Sequence, residues 1–83
     1  MGSRPKQTRV RRPPPKGELY LQVGHLVREA RIKKGMSQAE LGRPYMTRAM
    51  VSAVELGKVS AAVKTLAFFA SKLEVSLKDL VPD

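Results

Sequence analysis

The spacing of apolar residues predicts a helical protein. From Glu18 onward, apolar side chains recur every three or four residues, which is the repeat of a helix with one buried face. No stretch alternates apolar and polar residues for long enough to predict a β-strand. We therefore expect a compact all-α domain of five helices over residues 18–83.

Glycines and capping residues indicate where the first two helices lie. Gly35 suits the position just after a helix, because glycine adopts a left-handed backbone without steric cost. Ser37 and Glu40 have the spacing of a capping box, in which the side chain of each residue bonds to the backbone amide of the other. The second helix should start there and be short, since Gly42-Arg43-Pro44 interrupts it.

Three further helices are predicted in the same way. Thr47 is the expected N-cap of a third helix that ends near Gly57. Ser60 should cap a fourth helix, and a short fifth one should begin at Ser76. The residues expected to point inward are Leu19, Val23, Leu26, Val27 and Ala30 in the first helix, Val51 and Val54 in the third, and Val63, Leu66, Ala67, Phe69 or Ala70, and Leu73 in the fourth.

The start of the chain differs in composition from the rest. Residues 1–16 contain six basic residues and no acidic one, and Val10 is the only large aliphatic side chain before the first helix. Pro5 and the prolines at 13–15 lack a backbone donor, and a segment with so few apolar side chains cannot bury a core. We predict a disordered, basic, proline-rich arm over residues 1–17.

The composition narrows the kind of partner. The 83 residues carry 16 Lys and Arg against 7 Asp and Glu, a net charge of +9 that favours a polyanion. The chain has no cysteine and a single histidine, His25, so neither a disulfide nor a metal site is expected. No nucleophile–base pair, paired carboxylate site or glycine-rich phosphate loop is visible. We therefore expect no enzyme, no cofactor and no metal.

Three stretches in order resemble a known family. They are Gly35-Met36-Ser37-Gln38-Ala39-Glu40-Leu41, then the segment from Thr47 to Lys58 (TRAMVSAVELGK), then the segment from Leu73 to Leu80 (LEVSLKDL). Together they resemble the Cro/repressor (Xre-type) helix-turn-helix DNA-binding domain. The chain departs from that pattern in three places: the turn over residues 43–46 is one residue shorter and lacks the usual glycine, Leu56 replaces the usual Asn, and Ser60-Ala61 replaces the usual Asn-Pro.

The resemblance implies that the third helix, about residues 47–56, reads base edges in the major groove of double-stranded DNA. Arg48 would then be the strongest base reader, because a guanidinium pairs with guanine O6 and N7 in bidentate fashion. Ala49 and Ala53 are small enough to admit a thymine methyl group, and Ser52 can hydrogen-bond to any base. The alternative for each of these residues is an ordinary solvated helix face.

Other residues would contact the DNA backbone in the same arrangement. The expected phosphate contacts are Gln38, Arg43, Thr47 and Lys58, which would set the register of binding without reading sequence. The resemblance also implies that Gln38 buttresses the recognition helix. For Thr47 the alternative is capping alone, and for the two basic residues it is simple solvation. The arm could place Arg9, Arg11 or Arg12 in a minor groove.

Arg31 and Glu55 match a pair that the family forms between the end of helix one and the end of helix three. If the two side chains are partly buried, the pair locks the recognition helix against the first helix, and losing one partner costs on the order of 3–5 kcal/mol. If they are exposed, the pair contributes under about 1 kcal/mol.

Several apolar residues do not all fit inside so small a core, and with three others near the C-terminus they are expected to form the surface of a homodimer on DNA. They are Tyr45, Met50, Leu56, Val59 and Phe68, together with Leu77, Leu80 and Val81 near the C-terminus. For Met46 and Met50, gap filling in the core is the favoured alternative. Operators of this family are typically palindromic, which also favours a dimer.

We expect sequence-specific DNA binding by a transcriptional regulator, and favour a repressor. The protein is expected to be bacterial or phage-like and to act in the cytoplasm, at the nucleoid. No apolar run reaches the roughly 20 residues of a membrane-spanning helix, and residues 1–16 lack the apolar region of a secretory signal. Three alternatives stay open. The chain could be an antitoxin-like or coactivator-like protein-interaction module, or, given the abrupt end at Val81-Pro82-Asp83, the DNA-binding part of a longer regulator. The third alternative is RNA binding by the arm. The last is weakened because no aromatic residue is interleaved with the arginines of the arm.

Overall fold

The computed structural model describes residues 16–82, and within that range the fold is all-helical, as predicted. The elements are α1 (Lys16–Lys34), α2 (Gln38–Gly42), α3 (Arg48–Glu55), α4 (Val63–Leu73) and a 3₁₀ helix (Leu77–Leu80). The described part therefore has four α-helices, and the predicted fifth helix is a single 3₁₀ turn. Most of the predicted arm lies outside the described residues, and α1 begins at Lys16, two residues before the periodic pattern.

The predicted helix ends of the first half are confirmed. Gly35 has φ +76°, and the amide of Met36 donates to the carbonyl of Arg31 at 3.1 Å, which closes α1. The hydroxyl of Ser37 accepts from the amide of Glu40 at 3.0 Å, and the Glu40 carboxylate accepts from the amide of Ser37 at 2.8 Å. These two bonds are the capping box predicted at the start of α2.

The ends of α3 are also as predicted, but the start of α4 is not. Thr47 caps α3, since its hydroxyl accepts from the amide of Met50 at 3.2 Å, and Gly57 follows the helix with φ +73°. The predicted cap of α4 at Ser60 is wrong: the N-cap is Ala62, which makes no side-chain bond. The amide of Lys58 returns to the carbonyl of Ala53, so the chain reverses at Gly57 and uses the residues after it to reach α4.

The core lies between all four α-helices and the 3₁₀ helix. In α4 the inward direction of Leu66, Phe69, Ala70 and Leu73 is confirmed, whereas that predicted for Val63 and Ala67 is wrong, because both are exposed beside this stripe. Leu19, at the start of α1, is 38% exposed. The buried apolar residues are Val27, Leu41, Val51, Val54, Leu66, Phe69, Ala70, Leu73 and Leu80.

Leu80 corrects another expectation, because it is fully buried rather than part of a surface. The 3₁₀ helix packs against α1 and α4 and directs Leu80 into the core. Leu77 and Val81 on either side of it remain 38% exposed. Within residues 16–82, no helix is long and apolar enough to cross a membrane.

Gly24 lets α1 approach the end of α3 at backbone distance. A Cβ atom on Gly24 would lie 2.6 Å from the carbonyl oxygen of Glu55 and closer still to that of Val54. Any side chain would therefore push the two helices apart. The contact places the middle of α1 directly against the C-terminal turn of α3.

Candidate nucleic-acid interface

The outer face of α3 carries small side chains with an arginine at its N-terminal end. Val51, Val54 and Glu55 are buried and form the inner face. At 100° per residue, Ala49, Ser52 and Ala53 lie on the opposite side, and they are exposed or half-buried. Arg48 is exposed in the first turn of the helix. The predicted base readers thus form a shallow surface of small residues with one long cationic side chain.

Arg31 and Glu55 form a pair that fixes α3 against α1. Arg31 Nε donates to Glu55 Oε2 at 2.7 Å, and Arg31 Nη2 donates to Glu55 Oε1 at 3.1 Å. The Arg31 side chain is 13% exposed and that of Glu55 only 1%. Arg31 Nη1 also donates to the carbonyl of Met36 at 2.9 Å. The bidentate, nearly enclosed geometry is that of a structural ion pair rather than of two surface charges.

Gln38 extends this network to α2. Its side-chain Nε2 donates to Glu55 Oε1 at 3.0 Å, so the carboxylate of Glu55 is shared by α1 and α2. Of the two roles expected for Gln38, this bond to α3 is the buttress of that helix, and the phosphate contact stays a prediction. The amides of Ser37 and Glu40 at the same helix start are also engaged in the capping box. The start of α2 therefore helps to orient α3. Fewer N–H groups remain there to donate to a phosphate than the sequence predicted.

The other predicted phosphate contacts lie at the two ends of α3. Arg43 is exposed in the α2–α3 turn (residues 43–47), and Lys58 is exposed just after the helix. Thr47 is exposed as well, although its hydroxyl is occupied as a cap. The predicted contacts at Arg9, Arg11 and Arg12 lie outside the described residues.

Charge is distributed unevenly around this surface. Residues 41–73 contain five basic residues and one acidic residue, Glu55, which is buried and paired. The basic residues are Arg43, Arg48, Lys58, Lys64 and Lys72. The other acidic residues of the described part precede or follow this stretch and are Glu18, Glu29, Glu40, Glu74 and Asp79. Four of the five basic residues, all except the half-buried Lys72, are exposed, so this stretch presents positive charge to solvent without exposed acidic residues of its own.

Apolar residues flank the same surface. As expected, Tyr45, Leu56 and Val59 are exposed, by 78%, 54% and 45%. Met50 is 52% exposed on the flank of α3 and is therefore not a core residue, whereas Met46 packs against the core. Met50 points outward because Val51 and Val54 already define the buried side of the helix.

Two residues that position this surface were not identified from the sequence. Gly24 admits the end of α3, and a glycine in the middle of a helical pattern is the signal that could have indicated a close contact. Lys72 donates from α4 to backbone carbonyls at the end of α2, and no local pattern indicates such a bond. Within residues 16–82, no three His, Asp or Glu side chains are grouped as a metal site.

Comparisons with known proteins agree with this geometry. A family model described as helix-turn-helix, HTH_3, matches residues 27–80. The fold is similar to a crystal structure of a hypothetical transcription factor from Neisseria, with TM-score 0.72, 31% identity, and coverage of 93% of this chain and 90% of that one.

A second solved structure shows the same fold at lower identity. It is an HTH_3 family transcriptional regulator from Vibrio cholerae, with TM-score 0.73 and 24% identity over 80% of this chain. This chain spans only 38% of the Vibrio protein. No curated protein matches the chain in sequence.

Proposed function

This chain belongs to the helix-turn-helix family HTH_3, and from that premise we propose that it binds a specific sequence of double-stranded DNA and regulates transcription by occupying it. The observation that carries the proposal is the outer face of α3. Its readers are held on a helix that the Arg31–Glu55–Gln38 network locks in place. A rigid reading helix matters because base recognition depends on placing donors within hydrogen-bond distance.

In the proposed complex, α3 lies in the major groove with its N-terminal turn towards the bases. Arg48 pairs with a guanine, while Ala49, Ser52 and Ala53 face neighbouring base edges. Arg43 and Lys58 contact phosphates on either side, which sets the register. In this proposal the protein occupies a promoter at the nucleoid and thereby represses the adjacent gene.

We further propose that two copies bind one palindromic operator. A single module of this size contacts few bases, and two-fold related modules double the contact about one helical turn apart. Apolar residues next to α3 support the pairing, since Leu56 and Val59 are exposed where the helix ends. Homodimerisation on DNA is thus part of the proposed mechanism.

The direct test is selection of binding sites from random duplex DNA. An enriched motif with two symmetric half-sites is expected, and titration on that motif should give two chains per duplex. No enrichment would contradict the proposal and would favour a protein-interaction module of the antitoxin or coactivator kind. A motif without symmetry, bound by one chain, would remove only the dimer.

Arg48→Ala tests the role of the reading helix. The substitution should cost about 1–3 kcal/mol on the selected motif and little on random duplex DNA, because a lost base contact affects only the preferred sequence. Arg43→Ala is the matched control, since it removes the same group from a position expected to contact phosphate. Its loss should be similar on both DNAs, and equal losses for Arg48→Ala would show that Arg48 contacts only the backbone.

A second candidate is that the chain is the DNA-binding part of a longer regulator. The specific observation in its favour is the Vibrio regulator, of which this chain spans 38%. The mechanism at α3 is the same in both cases. The two cases differ in whether another domain controls dimerisation, which mass measurement of the protein purified from its native source would decide.

A further inference from the structure

The end of α2 is held by a side chain from α4. Lys72, in the last turn of α4, directs its ammonium group at two backbone carbonyls, those of Glu40 and Arg43. Both distances from Nζ to the carbonyl oxygen are 2.6 Å. Glu40 belongs to α2, and Arg43 is the first residue of the α2–α3 turn. A single cation therefore bonds to the helix and to the turn that follows it.

Phe68, one helical turn before Lys72, supports the same segment. Its ring contacts that of Tyr45 in the α2–α3 turn edge to face, with centroids 5.3 Å apart and an interplanar angle of 77°. Lys72 Nζ lies 5.5 Å from the centroid of the Phe68 ring, within the range of a cation–π contact. Phe68 also packs against Phe69, which is fully buried. We call Phe68 and Lys72 the turn clamp, because they connect the turn to the core.

The end of α2 depends on hydrogen bonds from outside the helix. The last carbonyls of a helix have no partner within the helix. In α2, the carbonyls of Ala39 and Gly42 accept from amides of the turn, and the carbonyl of Glu40 accepts from Lys72. A helix of five residues is not stable by itself, so its orientation depends on its tertiary contacts. The direction in which the chain enters α3 is set by this end of α2.

We propose that Lys72 is a positioning residue for sequence reading. By bonding to both sides of the α2–α3 junction, it sets the angle between α2 and α3 and so the placement of Arg48 at the bases. This inference rests on the proposed function, because it takes α3 to be the reading helix. The ammonium group acts on the protein backbone, so its effect is on selectivity between DNA sequences and not on attraction to phosphate.

The test is Lys72→Met in the full chain, which keeps the length of the side chain and removes its donors. The selectivity, taken as the ratio of affinities for the selected motif and for random duplex DNA, should fall about tenfold, the factor associated with one hydrogen bond to a charged group. Lys33→Met is the matched control. It removes one positive charge from an exposed lysine of α1 and should lower both affinities equally, leaving the ratio unchanged.

A spectroscopic measurement reports on the turn without DNA. The chain has two tyrosines and no tryptophan, so a Tyr20→Phe background leaves Tyr45 as its single fluorophore. Lys72→Met should change the emission of Tyr45, while Lys33→Met should not. An unchanged selectivity ratio would overturn the proposal. A lowered ratio with unchanged emission would overturn it too, because the loss would then not act through the turn.

If Lys72→Met does not fold, Lys72→Gln, which removes the ammonium charge and shortens the side chain by one atom, is measured against the same two criteria. Failure of both variants to fold would overturn the positioning role, because Lys72 would then be a general stability residue. If the unsubstituted protein itself selects no motif, the proposed function is wrong. If it selects a motif and Lys72→Met leaves the selectivity ratio unchanged, only the positioning role of Lys72 is wrong.

Discussion

Gly24 shows how one residue can be unfavourable for its helix and necessary for the fold. Glycine in a helix interior costs about 1 kcal/mol relative to alanine. At this position the missing side chain lets α1 contact the carbonyls of Val54 and Glu55. The same approach brings Arg31 of α1 to Glu55 of α3. The ion pair and the glycine contact therefore depend on one interhelical distance.

Gly24→Ala should destabilise the protein despite the better helix propensity of alanine. The added methyl group meets backbone atoms that cannot rotate away, and overpacking of this kind costs typically about 1–3 kcal/mol. Gly17→Ala is the control, since nothing lies within 4 Å of a Cβ atom there. The free energy of unfolding from urea titration should fall for Gly24→Ala and stay equal or rise for Gly17→Ala. Equal stability of the two variants would show that α1 and α3 can move apart without cost.

At the scale of the element, α2 depends on its capping box. Hydrogen bonding to Ser37 holds the pKa of the Glu40 carboxyl below its usual value of 4.5, and the backbone amide of Ser37 contributes more than its hydroxyl. A group whose pKa is lower in the folded than in the unfolded state stabilises the fold above its unfolded pKa. That contribution is lost as the pH falls through the folded pKa. Acid should therefore weaken the start of α2.

Glu40→Gln should reduce the acid sensitivity of the domain. The amide oxygen of glutamine can still accept from the amide of Ser37, but it does not titrate. The free energy of unfolding of the unsubstituted protein should fall more steeply than that of the variant as the pH drops from about 5 towards 3. Thermal or urea unfolding at a series of pH values measures this difference. Parallel curves would mean that the capping box forms equally well with the protonated acid.

At the scale of the whole molecule, the segment before α1 is expected to add binding energy without changing the preferred sequence. Residues 1–15 carry five of the 16 basic residues, and the residues of the core all follow α1's first turn. Each phosphate that the segment neutralises adds about 0.9 to the magnitude of the log–log slope of affinity against salt. Removal of the segment leaves the predicted base readers on α3 unchanged.

Deletion of residues 1–15 should weaken binding at low salt and flatten the salt dependence, while the selected motif is retained. The measurement is a salt titration of the full-length and shortened chains on one operator. Random duplex DNA serves as the control, because loss of phosphate contacts should lower both affinities alike. If the two slopes coincide, the segment does not contact DNA, and its charge serves another purpose.

Local hydrogen-bond chemistry explains what the sequence by itself determined. The capping box at Ser37, the cap at Thr47 and the glycine ends at Gly35 and Gly57 involve groups only a few residues apart. Such bonds form in the same way wherever the helix lies, so the boundaries of α2 and α3 could be predicted. The helical period likewise predicted that Val51 and Val54 face inward.

The pair between Arg31 and Glu55 was expected only from the resemblance to a family, because its partners are 24 residues apart. The same limit applies to the contacts that no pattern indicated. Lys72 reaches Glu40 across 32 residues. α4 begins after Ala62 rather than after Ser60, because the chain turns back at Gly57 and the residues that follow form the link to α4.

Only the tertiary structure decided which apolar residues are buried. Leu80 and Met50 have similar hydrophobicity, yet Leu80 is fully buried and Met50 is 52% exposed. Periodicity gives the direction of a side chain relative to its own helix, but not which neighbouring element covers it. The position of a helix among its neighbours is set by contacts between residues distant in the chain. These contacts determine which face of α3 is buried and which is exposed.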